Sequence, residues 1–215
     1  MSLKVNEIFF SLQGESSFAG LPCVFVRLTG CNLRCSWCDT RYAYDEGTEM
    51  DIAGIIKNVA SFHCRLVEIT GGEPLAQQET PALIKALLDI GLTVLMETNG
   101  SMDISLVDRS CIRILDVKCP SSGESAKNDF DNFSRLTHDD EVKFVVCDRA
   151  DYDYAKDIIR KFSGALKPLK PPIISPVFGK MDLKTLAGWM LQDNINARLQ
   201  VQLHKLVWGP EQRGV

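Results

Sequence analysis

Seven short runs of apolar and β-branched residues recur along this 215-residue chain, at 22–28, 66–70, 92–97, 112–117, 142–147, 172–175 and 198–203. Stretches of helical periodicity lie between them, and that alternation restricts the fold to βα units around a mostly parallel sheet. Several runs are continuously apolar, which suits strands covered by helices. The clearest helix follows the second run. Thr80 caps it, Pro81 sits in its first turn, Leu83, Ile84, Leu87 and Leu88 form one stripe, and Gly91 ends it. Asp151 precedes a helix carrying Tyr154, Ile158 and Phe162, and Asp182 one carrying Leu183, Leu186 and Met190. Residues 121–125 and 167–172 read as loops, and there is no internal repeat. With 45% hydrophobic residues, the chain is long enough for one well-buried domain spanning 1–215.

The charge balance narrows the partners. Lys and Arg number 24 against 28 Asp and Glu, a net charge of −4, so no overall basic field draws in nucleic acid or anionic lipid. A small-molecule substrate fits better. No run approaches the roughly 20 apolar residues of a membrane span, and Lys4, Asn6 and Glu7 interrupt the apolar core a secretion signal needs. The expectation is a cytoplasmic protein with no membrane or nucleic-acid partner. In that reducing compartment its eight cysteines are ligands or small buried apolar residues rather than disulfides. Cys23, Cys64, Cys111 and Cys147 are scattered and read as structural.

Three other cysteines are not scattered. Cys31, Cys35 and Cys38 form a CxxxCxxC loop directly after the first run. Four thiolates normally complete an iron–sulfur cluster, so a loop offering three can hold a four-iron cluster with one iron open to a small molecule. An open iron means chemistry at the cluster. Zinc is the rival reading, but zinc ligands usually come as two short-spaced couples, and the chain has no second CxxC.

In parallel βα barrels and open sheets, ligands gather at the C-terminal ends of the strands. The polar and glycine-rich motifs fall there. Thr70-Gly71-Gly72-Glu73-Pro74 follows the second run; its glycines permit close backbone approach, and Glu73 offers an acceptor to an ammonium group. Glu97-Thr98-Asn99-Gly100, Asp116-Val117-Lys118-Cys119-Pro120-Ser121 and Ser175-Pro176-Val177-Phe178 end later runs, although each also suits a plain turn. Arg27 is a charge inside an apolar strand and needs a partner, either a ligand carboxylate or a structural acid.

CxxxCxxC with GGEP one βα unit later resembles the radical S-adenosylmethionine (SAM) enzymes. Val5 to Glu15 with its Ser11-Leu12-Gln13-Gly14-Glu15, Gly20-Leu21-Pro22, Phe25 to Leu28, Cys38 to Ala43, and the tail His204-Lys205 with Trp208 extend the likeness to nearly the whole chain. They resemble the 7-carboxy-7-deazaguanine synthases. That resemblance implies an α/β fold, an abbreviated, elaborated (β/α)6-type partial TIM barrel of the radical SAM type, usually as a homodimer. It implies conversion of 6-carboxy-5,6,7,8-tetrahydropterin to 7-carboxy-7-deazaguanine with loss of ammonia, a step toward 7-cyano-7-deazaguanine and queuosine. The implied cofactors are a [4Fe-4S] cluster, SAM and Mg²⁺, with an external electron donor.

Residue by residue, the resemblance makes Cys31, Cys35 and Cys38 the cluster ligands and Thr40 the protein ligand to Mg²⁺. Trp37, Cys38, Asp39, Gly72 and Glu73 would meet SAM, as would Cys119, Pro120 and Ser121, and Ser175, Pro176, Val177 and Phe178. Leu12, Gln13, Gly14, Arg27 and Thr70 would hold the pterin, and the carboxylate of Val215 would reach it. No catalytic residue beyond the cofactor ligands is implied. His63 and His138 read as surface or structural residues, and His204, at the end of the last strand, as a support for the tail. Two alternatives stay open here: a glycyl-radical enzyme activase, and a non-catalytic metal-binding module.

Overall fold

The computed structural model describes residues 1–166 and 170–215. Its strands are β1 (Ser2–Leu12), β2 (Pro22–Leu28), β3 (Thr48–Asp51), β4 (Leu66–Gly71), β5 (Thr93–Thr98), β6 (Ile112–Val117), β7 (Glu141–Val146), β8 (Ile173–Pro176) and β9 (Arg198–Leu199). They form one sheet in the order β3-β1-β2-β4-β5-β6-β7-β8-β9. From β2 to β9 every pairing is parallel, while β1 runs antiparallel to both β2 and β3. The helices are α1 (Ile52–Ser61), α2 (Thr80–Asp89), α3 (Asn132–Arg135), α4 (Arg149–Lys161), α5 (Ser163–Leu166), α6 (Leu183–Gln192) and α7 (Leu203–Trp208). The fold is α/β, a partial (β/α)6-type barrel of parallel strands with an antiparallel extension at one edge and the short β9 at the other.

Period-two alternation sorts the strand residues into two cores. Val24, Val26, Val67, Ile69, Val94, Met96, Leu115 and Phe144 face the helices and join the main apolar cluster. On the opposite face Cys23, Phe25, Leu66, Leu95 and Ile114 close a smaller cluster with Phe9, Phe18 and Ile112. The same inner face changes character toward the C-terminal strand ends, where Arg27, Glu68, Glu97, Asp116 and Lys143 occupy the alternating positions. The sheet therefore has an apolar inner floor and a charged layer above it.

Local sequence explains most boundaries, with corrections. The Asp182 carboxylate caps α6 by accepting from Thr185 N at 2.8 Å. Asp148, not Asp151, caps α4, accepting from Asp151 N at 2.9 Å; Asp151 turns back to accept from Ser121 N and Cys147 N. Thr80 is the first residue of α2 rather than its cap, because its hydroxyl donates to Pro74 O. The run 198–203 is strand only over Arg198–Leu199, because Gln202 and Leu203 turn away to bond Glu15 and Gly14. His204 accordingly sits in α7, not at a strand end. Residues 121–125 are not a simple loop but part of two short 3₁₀ turns, Pro120–Ser122 and Ser125–Lys127. Of the loop at 167–172, residues 167–169 lie outside the described residues. β1 and β3 were not foreseen as strands.

Candidate active site

Cys31, Cys35 and Cys38 line one wall of a cavity at the C-terminal ends of the parallel strands. Their loop leaves β2 through Gly30 and is held backbone to backbone by the Gly-Gly turn: Glu73 N donates to Gly30 O at 2.8 Å. A Cβ on Gly72 would lie 2.0 Å from Gly30 O and 2.8 Å from the Cβ of Cys31, so only glycine permits this approach. The Glu73 carboxylate is fully buried and accepts from Leu75 N, Thr98 Oγ1 and Asn99 N at 3.0, 2.9 and 2.7 Å. It therefore ties the β4 and β5 ends together. Asn99 in turn reaches the cysteine loop, with Nδ2 donating to Asn32 Oδ1 at 3.0 Å. On the other flank Trp37 Nε1 donates to Ser121 Oγ at 3.1 Å and Ser36 N to Ser122 O at 2.9 Å.

The donor set fits an iron–sulfur cluster. Thiolates are the soft ligands that iron favours. Burial raises the Cys31 thiol and pushes Cys35 up to about 11, so the free thiols are neutral and metal binding takes their protons. Lys118 lies in the same cavity and favours the thiolate of both. Among the described residues no three His, Cys, Asp or Glu side chains converge on a single ion. A cluster places each thiolate on a different iron and asks for no such convergence.

The charged layer forms the rest of the cavity. Lys143 donates to Glu15 Oε2 at 2.8 Å and to Glu97, with Asp116 Oδ2 at 3.8 Å. Burial opposes the Lys143 charge, but these carboxylates hold its pKa well above the ordinary value. Glu68 accepts from the Gln13 amide, and burial with the nearby Glu97 charge pushes it up to about 8. Asp116 accepts from Lys118 through Oδ2 at 2.9 Å, while its buried Oδ1 has no partner among the described residues. That orphaned acceptor marks a place for a ligand donor.

The C-terminal segment completes the mouth. Gln202 Nε2 donates to Glu15 Oε1 at 2.8 Å, Leu203 N to Gly14 O at 3.0 Å, and Lys205 pairs with Asp39 at 2.5 Å. Burial works against Asp39, yet the Lys205 ammonium holds its carboxyl down at about 2. A Cβ on Gly14 would come within 2.0 Å of His204 Nδ1, so that glycine is where the segment docks.

Of the residues singled out from sequence, Leu12, Gln13, Gly14, Arg27, Thr70 and Val215 line the cavity, as do Trp37, Asp39, Thr40, Gly72, Val177 and Phe178 with the three cysteines. Arg27 spends its Nε on Glu7 at 2.7 Å. Thr40 Oγ1 donates to Asp39 at 3.0 Å. Glu73, Cys119, Pro120, Ser121, Ser175 and Pro176 are not among the lining residues, although Glu73 bonds Thr98 and Asn99 and Ser121 bonds Trp37, which are. Sequence reasoning passed over Glu68, Lys143 and Gln202; it included Glu15 only within the Ser11–Glu15 segment and noted Glu97, Asp116 and Lys118 only as strand ends. The signal was available: β2, β4, β5, β6 and β7 each carry a charge at an inward-facing position, one to three residues before the strand's last residue.

The three-cysteine wall, the glycine turn and the partial barrel define the radical SAM superfamily, and the model of that superfamily matches residues 25–171. Membership brings a [4Fe-4S] cluster and SAM. Within it, the chain belongs to the 7-carboxy-7-deazaguanine synthases. It is 42% identical to that synthase from Koribacter versatilis (strain Ellin345), covering 99% of this chain and 100% of that one. To the synthase from Chlorobaculum tepidum it is 46% identical, covering 99% and 97%. The crystal structure of QueE from Escherichia coli superposes with a TM-score of 0.77 over 95% of both chains at 21% identity, a likeness of fold. These relatives do not favour the activase alternative. No helix among the described residues is long and apolar enough to cross a membrane.

Proposed function

We propose that the chain converts 6-carboxy-5,6,7,8-tetrahydropterin to 7-carboxy-7-deazaguanine with loss of ammonia, on the path to 7-cyano-7-deazaguanine and queuosine. One observation carries the reading: the Gln13–Glu15 segment and the cysteine loop face one cavity whose remaining wall is a layer of fixed charges. Once bound, the cluster and SAM supply the one-electron chemistry that generates a hydrogen-abstracting radical. The protein supplies binding, orientation and exclusion of water. Gln13, held by Glu68, offers its amide to the donor–acceptor edge of the pterin, and Arg27 with Thr70 and the Val215 carboxylate fixes the other side. Trp37, Cys38, Asp39, Gly72, Val177 and Phe178 line the SAM side. Glu73 and Ser121 fix Thr98, Asn99 and Trp37 of that wall, and Cys119, Pro120, Ser175 and Pro176 belong to the loops that would meet SAM beside it.

Mg²⁺ belongs to the reading as well: Thr40 contributes one oxygen, and waters and the substrate carboxylate supply the rest. We place the protein in the cytoplasm as a single-domain homodimer served by an external reductant. The test is anaerobic turnover of reconstituted protein with SAM, Mg²⁺, dithionite and the carboxypterin, followed by mass spectrometry. Formation of 7-carboxy-7-deazaguanine, lost in Cys35→Ala, is the expected result. SAM cleavage without any deazapurine would leave the superfamily assignment standing and remove the substrate.

A further inference from the structure

Asp151 carries a carboxylate that the proposed chemistry does not use. It is fully buried in the first turn of α4, yet among the described residues it bonds none of that helix's own amides, because Asp148 already caps it. Its Oδ1 accepts from Ser121 N at 2.8 Å, and its Oδ2 accepts from Ser121 Oγ and, at 2.9 Å, from Cys147 N. The α4 cations Arg149 and Lys156 pair with Asp153 and Asp193 instead. Asp151 thus faces the segments that follow β6 and β7, away from its own helix.

Ser121 carries that hold onward to the cysteine loop. A serine hydroxyl has one proton and two lone pairs, whereas an ionised carboxylate only accepts. Asp151 takes the proton, so the oxygen turns a lone pair to Trp37, whose Nε1 donates to it at 3.1 Å. The bonds run one way, from indole through hydroxyl to carboxylate. The same segment holds the loop's backbone as well: Ser36 Oγ donates to Ser121 O at 2.6 Å, Ser36 N to Ser122 O at 2.9 Å, and Arg34 N to the Glu124 carboxylate at 2.7 Å. None of those bonds orients the indole, which lies half-buried on the cavity wall with Lys118 Nζ 5.7 Å from its ring centroid.

We infer that Asp151 is a positioning residue for SAM: its carboxylate sets the Ser121 hydroxyl, and the hydroxyl sets the plane of the Trp37 indole beside which SAM binds. The inference rests on the proposed function, which puts Trp37 on the SAM side. A ring already held in its bound orientation needs no ordering when the ligand arrives, and a hydroxyl polarised by a carboxylate accepts more strongly than a free one. Losing the carboxylate therefore loosens the indole without removing any group that lines the cavity. An amide at 151 cannot replace it. Each carboxylate oxygen accepts a backbone N–H, so an amide would aim its own N–H at that of Ser121 or Cys147.

The experiment titrates SAM into reconstituted holoenzyme by calorimetry, with the cluster oxidised so that no SAM is cleaved. Asp151→Asn is expected to weaken SAM binding by about tenfold, with iron content and the KM for the carboxypterin unchanged. Ser121→Ala should weaken it to a similar degree. Because Asp151 acts through Ser121, the double variant should bind SAM no worse than Ser121→Ala alone. Where Asp151→Asn yields no folded protein, Asp151→Ser, which leaves room for a water, takes its place in the cycle. Unchanged SAM affinity in the Asp151 variant, losses that add in the double variant, or a loss that merely follows a loss of iron overturns the inference. Unchanged affinity in Trp37→Ala would instead remove the reading that sets this wall beside SAM.

Discussion

Two buried charge clusters stand on opposite faces of the same sheet, and they are built to opposite rules. On the helix side, Arg113 and Asp140 are almost wholly buried, at 1% and 0% side-chain exposure. Asp140 accepts from Arg113 N at 2.7 Å, from its Nε and Nη2, and from Thr137 N at 2.6 Å. Arg113 gives its last donors to Ile104 O and Arg135 O. Every polar atom has a partner from the chain, and the pair pins the start of β6 to the loop before β7. On the inner side Lys143 holds Glu15 and Glu97, while Asp116 keeps one buried oxygen unmatched among the described residues and burial pushes Glu68 up to about 8, so that it holds a proton at neutral pH. A closed set of charges clamps a fold. An open one waits for something else to complete it.

The sharpest way to break the comparison is to remove a cation from each. Arg113→Met strands a buried carboxylate and should cost about 3–5 kcal/mol of stability, read as a lowered urea midpoint, while the protein that remains folded turns over normally. Lys143→Met should act mainly on function, lowering kcat/KM by about 100-fold, roughly 3 kcal/mol. Its stability cost should be the lesser, because Glu15 and Glu97 can turn to cavity water. Equal stability losses with unchanged kcat/KM in both variants would erase the distinction. The smallest effect concerns pH. Glu68 has its value raised from 4.5 to about 8 by burial, so between those values the unfolded chain has released a proton that the folded one keeps. Stability therefore falls as pH rises through that window. Glu68→Gln should flatten the decline in urea midpoints across pH 5–8, and an unchanged slope would show that the carboxyl is not held neutral.

Much of this was legible in the chain before any coordinates. The parallel strands announced themselves because both faces are covered near their N-terminal ends, so that Val24 to Val26 or Leu66 and Val67 read as unbroken apolar runs. The cysteine loop and glycine turn were legible because their chemistry depends on spacing within a few residues. β1 was hidden for the converse reason. Its Leu3 and Val5 are buried while Lys4 and Asn6 are not, a half-covered alternation, and its register shifts between Val5 and Glu7. Arg27 was singled out, but the charged layer as a whole was missed because its members lie one per strand, and only the sheet order brings Glu68, Glu97 and Lys143 to the same side as Arg27. The end of the 198–203 run failed through tertiary contacts, since Gln202 answers to Glu15 at a separation of 187 residues.

That last contact also makes the closing side of the cavity a product of the whole fold. Gln202 reaches Glu15 and Leu203 reaches Gly14 across the entire β2 to β8 scaffold, the first pair 187 residues apart. Contacts of such separation cost a large loop-closure entropy before they form, so they follow the local βα pairings. Cys31, Cys35 and Cys38 sit within the scaffold itself, whereas the mouth narrows only when this strap settles on Gly14 and Glu15.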